Sequence, residues 1–210
     1  MSESEGAFAV WTDEQRRPLA AGAGRREDGE SATERSEPSR TERSFEVNAL
    51  AAVQRAIGRP PVVRAARGLS LFGEHAAGWF AIGLVGAAVD RKRRRDWLTA
   101  ATGVVAAHAA SIAVKRVVRR QRPIDDSVEV LVTTPSTLSF PSSHATSTTA
   151  AAVVYSRLTG RNLVPVLVPP MLVSRLVLGV HYPTDVLAGA ALGAVVGGLV
   201  RRAIGRRRTK

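Results

Sequence analysis

Apolar positions along this chain fall into blocks, and the polar positions gather in the gaps between them. From Phe45 the stretch "FEVNALAAVQRAIGRPPVVRAARGL" places apolar residues at helical spacing, with Arg55, Arg59, Arg64 and Arg67 among them and a break at Pro60-Pro61. Four arginines forbid a bilayer span, so residues 45–69 read as an amphipathic segment lying at an interface. Five apolar blocks follow, at 76–89, 97–114, 144–155, 163–180 and 186–200. The first is short unless its helix starts near Leu69 and takes Glu74 and His75 with it. The second is interrupted only by His108, and the fourth carries Arg175 and is broken by Pro165, Pro169 and Pro170. Each block is near or below the ~20 residues that a bilayer core requires. Their succession is the stronger signal, and it predicts an all-α, integral-membrane bundle of about five to six helices with an amphipathic N-terminal segment. Gly189, Gly193 and Gly197 recur at four-residue spacing in the last block, a small-residue stripe that lets membrane helices approach closely. The alternative is an Ala-rich soluble bundle, which would need a polar face on every helix.

Composition sharpens this division. Residues 1–44 are rich in Ser, Glu, Arg and Gly and too poor in aliphatic residues to bury a core, so they read as a disordered polar tail. Neither Arg16-Arg17 nor Arg25-Arg26 is followed by an apolar run, which argues against a secretory or twin-arginine signal. The expected organisation is a tail at 1–44, a membrane-embedded domain at 45–205 and a basic tail at 206–210. The chain has no cysteine, which excludes disulfides and thiolate zinc sites. Its formal charge of +12 is uneven: residues 1–44 carry −3 and the rest +15. The cations are bunched between apolar blocks, which points to a lipid bilayer rather than nucleic acid as the partner. Alternating spans put Arg91 to Arg95, Arg157 with Arg161, and the C-terminal "RRAIGRRRTK" on one side, cytoplasmic by the positive-inside rule. The regions around Lys115–Arg122, Ser143-His144 and Arg175–Asp185 then share the opposite face. Five spans also put the N-terminus on that face unless residues 45–69 dip into the bilayer.

The convergence of those three regions carries the candidate chemistry. Lys115, Arg122 and Arg175 come from separate stretches and can surround one tetrahedral anion, arginine bidentately. The helix opening near Ser142-Ser143-His144 adds backbone N–H donors and a favourable dipole. Pro183 suits a first helical turn, which puts His181 just ahead of the helix and Asp185 inside its opening turn. That carboxylate can reach one ring nitrogen of His181, fix the tautomer and leave the other nitrogen bare for attack. His144, on another element, is free to protonate a departing oxygen. No carboxylate cluster suggests a metal or other cofactor: Asp125, Asp126 and Glu129 read as solvated loop charges. Arg116, Arg119 and Arg120 read as snorkelling or lipid-facing cations. His75 and His108 read as polar groups hydrogen-bonded inside the bundle, with Glu74-His75 near the site mouth.

Lys115-x6-Arg122-Pro123, Pro141-Ser142-Ser143-His144 and Ser174-Arg175-x5-His181-x3-Asp185 together resemble the three-part signature of the type-2 phosphatidic acid phosphatase family. These are membrane lipid phosphate phosphatases whose fold is shared with vanadium haloperoxidases. The resemblance covers roughly residues 65–200, with Ser143 where the family usually has Gly. It implies that Lys115, Arg122, Ser142, the Ser143 amide and Arg175 bind phosphate. It implies further that His181 becomes a phosphohistidine, that Asp185 orients it, and that His144 serves as acid and then base on a lipid phosphate substrate. A vanadate-dependent haloperoxidase would share the anion cage, and a non-enzymatic basic membrane protein would share the charge but not the paired histidines.

Overall fold

The computed structural model describes residues 40–206. The expected tail lies outside the described residues as far as residue 39, and the basic C-terminal tail from 207 onward does too. Seven α-helices make up the described chain: α1 (Arg40–Ile57), α2 (Pro60–Gly73), α3 (Ala77–Val89), α4 (Arg94–Val118), α5 (Ser143–Thr159), α6 (Val164–Val177) and α7 (Pro183–Arg206). Among the described residues the one strand-like pairing is an isolated bridge between Gln121 and Leu138, inside the long α4–α5 loop.

Helix α1 starts at Arg40, ahead of the boundary expected at Phe45. Pro60-Pro61 occupy the first turn of α2, where a missing N–H leaves nothing unpaired. The proline pair therefore starts a helix as well as ending one. A 3₁₀ turn at Glu74–Ala76 joins α2 to α3, so Pro60–Val89 forms one kinked stretch of 30 residues. Residues 60–69 thus belong to the first span-length stretch, and only α1 remains of the surface segment expected over 45–69.

Among the described residues three stretches are long and apolar enough to cross a bilayer: Pro60–Val89, Arg91–Val118 and Pro183–Arg206. Helices α5 and α6, with 17 and 14 residues, rise ~26 and ~21 Å, short of a ~30 Å hydrocarbon core. The break expected in the fourth block does not occur, since α6 runs through Pro169 and Pro170. Its inward side, with Val168, Met171, Ser174, Arg175 and Val177 buried, holds the helix in place where two backbone donors are missing.

Helix α5 is the centre of the bundle, buried on nearly every side from Ala145 to Leu158. Around it the core packs Trp79, Trp97, Val104, Val154 and Tyr155. The Tyr155 hydroxyl donates to the Trp79 carbonyl (2.7 Å), and the Trp79 indole N–H donates to Thr148 Oγ1 (3.0 Å). Helix α7 lies against α5 along the glycine stripe. A Cβ on Gly193 would come 2.3 Å from the Thr146 carbonyl oxygen, and one on Gly189 would come 2.5 Å from that of Ser142. The large residues of α7 point the other way: Leu187, Val195 and Leu199 are 61%, 61% and 58% exposed. Small residues inward and large aliphatics outward invert a water-soluble helix, and the arrangement fits a lipid surround. The chain is a membrane protein.

The bundle has two unlike ends. At one, Arg93 Nη1 donates to the Leu158 carbonyl (2.7 Å), and Arg157, Arg201, Arg202 and Arg206 line a shared groove. The other end holds the start of α5, the 119–142 loop, the 178–182 loop and α1. Gln54 of α1 fastens this end: its side-chain amide donates to the Glu129 and Val177 carbonyls (2.7 and 3.0 Å) and accepts from the Glu129 N–H (3.0 Å).

Gly193→Ala should therefore lower the thermal midpoint by the equivalent of about 1–3 kcal/mol, the usual cost of overpacking, and reduce activity with it. Gly198→Ala, whose Cβ would meet nothing within 4 Å, should be neutral or slightly stabilising. Melting curves of the two variants in detergent test the pair. Equal behaviour would remove the close α5–α7 contact from the account.

Candidate active site

One cavity of about 370 Å³ opens at the end of the bundle opposite the arginine groove. Lys115, Arg122, Ser143, His144, Arg175 and His181 all line it. Ser142 and Asp185, fully buried, stand behind its wall. The residues named from the sequence are thus brought together by α4, the α4–α5 loop, the start of α5, the end of α6 and the start of α7.

The cations are held by neutral acceptors. Lys115 Nζ donates to the Leu138 carbonyl (2.9 Å). Arg122 donates from Nε to the Ser136 carbonyl (2.8 Å) and from Nη1 to that of Val180 (2.5 Å). Arg175 Nη1 donates to Ser70 Oγ (2.7 Å), while its Nε is buried with no partner among the described residues. The Ser142 hydroxyl is likewise buried without a partner and does not cap α5. Three cations, a helix N-terminus and two spare donors suit a tetrahedral dianion. Ser143, the departure from the signature, has its hydroxyl 2.8 Å from that of Ser111 on α4, so the added group faces a neighbouring helix.

Each histidine has a tautomer assigned by its neighbour. His144 Nε2 lies 2.9 Å from the Ser70 carbonyl, which can only accept, so Nε2 carries a proton and Nδ1 is left for a second one. His181 Nε2 lies 3.3 Å from Arg122 Nη1. A guanidinium can only donate, so Nε2 presents its lone pair. The His181 proton then sits on Nδ1, facing Asp185 Oδ2 at 3.6 Å. That distance is beyond a hydrogen bond, and the Asp185 effect across it is electrostatic. Burial first, then the charges of Arg122, Arg175 and Lys115, hold the His181 pKa well below its ordinary 6.5. Arg122 is lowered to about 10 by burial, against the opposing charge of Asp185, and remains a cation at neutral pH.

Asp185 is fixed from several sides. Its Oδ2 accepts from the Tyr182 N–H (2.8 Å), and its Oδ1 accepts from Arg120 Nη1 (2.9 Å). Its carbonyl accepts from the Ser142 N–H (2.9 Å), tying α7 to α5. Arg120 corrects the sequence reading. It is no lipid-facing charge but bridges Asp185, Thr184 and Glu46 of α1 and lies over the Tyr182 ring, 4.0 Å from its centroid. The reading of His75 and His108 as internally bonded polar groups is corrected too. The His75 side chain is 70% exposed, and His108 Nδ1 is buried without a partner among the described residues. Both line the cavity, with Glu74.

Sequence reasoning missed Ser70, whose carbonyl and hydroxyl hold His144 and Arg175 at once, and Gly73, where a Cβ would come 2.8 Å from the His144 ring. The one hint was a serine and a glycine in an otherwise apolar turn of α2.

The family model described as PAP2 superfamily matches residues 96–209. A decaprenylphosphoryl-5-phosphoribose phosphatase of Mycobacterium tuberculosis is 56% identical over 156 residues, which are 74% of this chain and 88% of that one. Among solved structures, a transmembrane PAP2-type phosphatidylglycerolphosphate phosphatase from Bacillus subtilis superposes with a TM-score of 0.67 at 22% identity, covering 80% of this chain and 88% of that one. A bacterial vanadium-dependent iodoperoxidase superposes at 0.60 and 21%, covering 74% of this chain and 47% of its own. Fold alone therefore spans two chemistries, and the 56% identity separates them.

A nucleophilic His181 must be neutral, and a pKa held below 6.5 keeps it so into mild acid. The acid limb of kcat/KM against pH should accordingly fall below pH 6.5. A limb at or above that value would mean that burial and the cations do not lower the pKa of this ring.

Proposed function

The chain belongs to the PAP2 superfamily and is a lipid phosphate phosphatase, and from that premise we propose that it removes the 5-phosphate from a decaprenylphosphoryl-5-phosphoribose lipid. The observation that carries the reading is the meeting of His181, His144, Lys115, Arg122 and Arg175 in one cavity. The identity to the mycobacterial phosphatase supplies the substrate.

Lys115, Arg122 and Arg175 bind the phosphoryl oxygens, with the Ser142 hydroxyl and the Ser143 amide. Arg122 exchanges its weak contact with His181 for a phosphate oxygen, and this frees the Nε2 lone pair. Nε2 attacks phosphorus, an N–P bond forms, and the P–O bond to ribose C5 breaks. His144, which takes up a second proton on Nδ1 once the phosphate dianion offsets the surrounding cations, gives that proton to the leaving oxygen. Asp185 stabilises the positive charge growing on the His181 ring, as carboxylates do in triads. Neutral His144 then takes a proton from water, whose oxygen attacks phosphorus and releases His181 and inorganic phosphate. The charge neutralisation that Mg²⁺ often supplies in phosphoryl transfer falls to the three cations.

The bunched arginines at the opposite end support a site on the extracytoplasmic face of the plasma membrane. In that orientation α1 lies on the same face as the site.

Phosphate release from purified protein tests the reading, with the phosphoribosyl lipid, a polyprenyl pyrophosphate, phosphatidate and phosphatidylglycerophosphate compared side by side. The phosphoribosyl lipid should give the highest kcat/KM, EDTA should change nothing, and His181→Ala should lose about 10³-fold or more. Faster cleavage of the pyrophosphate would overturn the substrate. More than trace turnover by His181→Ala would overturn the mechanism.

A further inference from the structure

The cavity does not end at the phosphate cage. It continues between the α2–α3 kink and α4, where Glu74, His75 and His108 line it. The two imidazole centroids are 6.1 Å apart, and His75 Nδ1 is 4.0 Å from Glu74 Oε1. All three residues lie inside the span-length stretches Pro60–Val89 and Arg91–Val118, away from their ends. An ionisable side chain at such a depth is costly unless it has a polar partner, yet His108 Nδ1 has none among the described residues. The backbone is strained here as well: His75 and Ala76 are left-handed, with φ of 51° and 61°. Left-handed backbone is unfavourable for a residue with a side chain, and strain of this kind concentrates at ligand sites.

The chemistry of the cluster is specific. A carboxylate only accepts hydrogen bonds, and a neutral imidazole both donates and accepts. That set suits hydroxyl groups and poorly suits a second phosphate, for which arginine and lysine are the usual partners. The cations Arg67 and Arg116 also line the cavity, but at the level of the cage: Arg116 adjoins Lys115, and Arg67 is one turn from Ser70. Distance agrees with chemistry. Gly73, next to Glu74, lies against the His144 ring, where a Cβ would come 2.8 Å from it, so the cluster adjoins the cage. In the proposed substrate seven bonds separate the two phosphorus atoms, a reach of roughly 8 Å at ~1.2 Å per bond. The ribose hydroxyls lie between them. With the 5-phosphate in the cage, the sugar lies beside the cluster and the lipid chain continues into the bilayer.

We infer that Glu74, His75 and His108 form the subsite for the sugar joining the cleaved phosphate to the lipid, Glu74 accepting from its hydroxyls and the imidazoles exchanging hydrogen bonds with them. This rests on the substrate reading above, and it makes the cluster the part of the site that separates a phosphoribosyl lipid from a plain lipid phosphate.

The test is the ratio of kcat/KM on the phosphoribosyl lipid to kcat/KM on phosphatidate, in the unsubstituted protein and in Glu74→Gln and His108→Asn. Each substitution should lower the ratio about tenfold or more, as expected where a site is built to bond substrate hydroxyls. A ratio that stays within about twofold, whether both activities fall together or neither falls, overturns the subsite. A second readout needs no variant: ribose 5-phosphate should inhibit the unsubstituted protein about tenfold better than ethyl phosphate, the worth of one or two hydrogen bonds. Equal inhibition constants overturn it again. An unsubstituted protein with no preference for the phosphoribosyl lipid brings down the substrate reading and the subsite together. A clear preference that both variants keep brings down the subsite alone.

Discussion

Lys115, Arg122 and Arg175 reach one cavity from three elements, and two of them are nearly sealed from solvent, at 8% and 2% exposure for Lys115 and Arg175. Confined like charges repel, and each loses hydration on burial. The fold answers with the carbonyls of Leu138, Ser136 and Val180 and the hydroxyl of Ser70. These neutral acceptors engage several of the donors without cancelling the charge, leaving a positive field suited to a phosphate dianion. Asp185, the carboxylate facing His181, is engaged from behind by Arg120, which is in turn engaged by Glu46. Burial and the same field hold the His181 pKa below its ordinary value, as the proposed nucleophile requires.

That arrangement needs its parts in register, and the membrane packing of the bundle sets the register. Gly189 sits against the Ser142 carbonyl, and the Ser142 N–H donates to the Asp185 carbonyl. The glycine stripe that brings α7 onto α5 therefore also sets the distance between the Ser142 turn and His181, the proposed phosphate-binding turn and nucleophile. A bilayer supplies no hydrophobic drive between helices, so close packing of small residues takes its place. In the proposed mechanism stability and catalysis share one contact surface.

The bundle and the side chains that meet in the cavity were legible in the sequence because each has a local pattern. Apolar runs mark helices, and the spacings of Lys115 to Arg122 and of Arg175 to His181 and Asp185 are short-range. What escaped was long-range or carried by backbone. Arg120 reads as a surface charge until the fold brings it to Glu46 and Asp185, 74 and 65 residues away. Ser70 acts partly through its carbonyl, which leaves no trace in residue type. Pro169-Pro170 read as a break because local propensity disfavours them, while burial of one side of α6 overrides that cost. Glu74 and His75 read as near the site mouth, but their meeting with His108 of α4 was hidden for a related reason, since it depends on the kink at Glu74–Ala76.

The central claim is that the three cations and His181 together bind a phosphoryl group in line for attack. An experimental structure of the purified protein with orthovanadate, which adopts the trigonal-bipyramidal geometry of the transferring phosphoryl group, tests it most directly. The account expects vanadium bonded to His181 Nε2, its equatorial oxygens contacted by Lys115, Arg122 and Arg175, and its apical oxygen facing His144. Vanadate bonded to another side chain, or bound away from these cations, would contradict it.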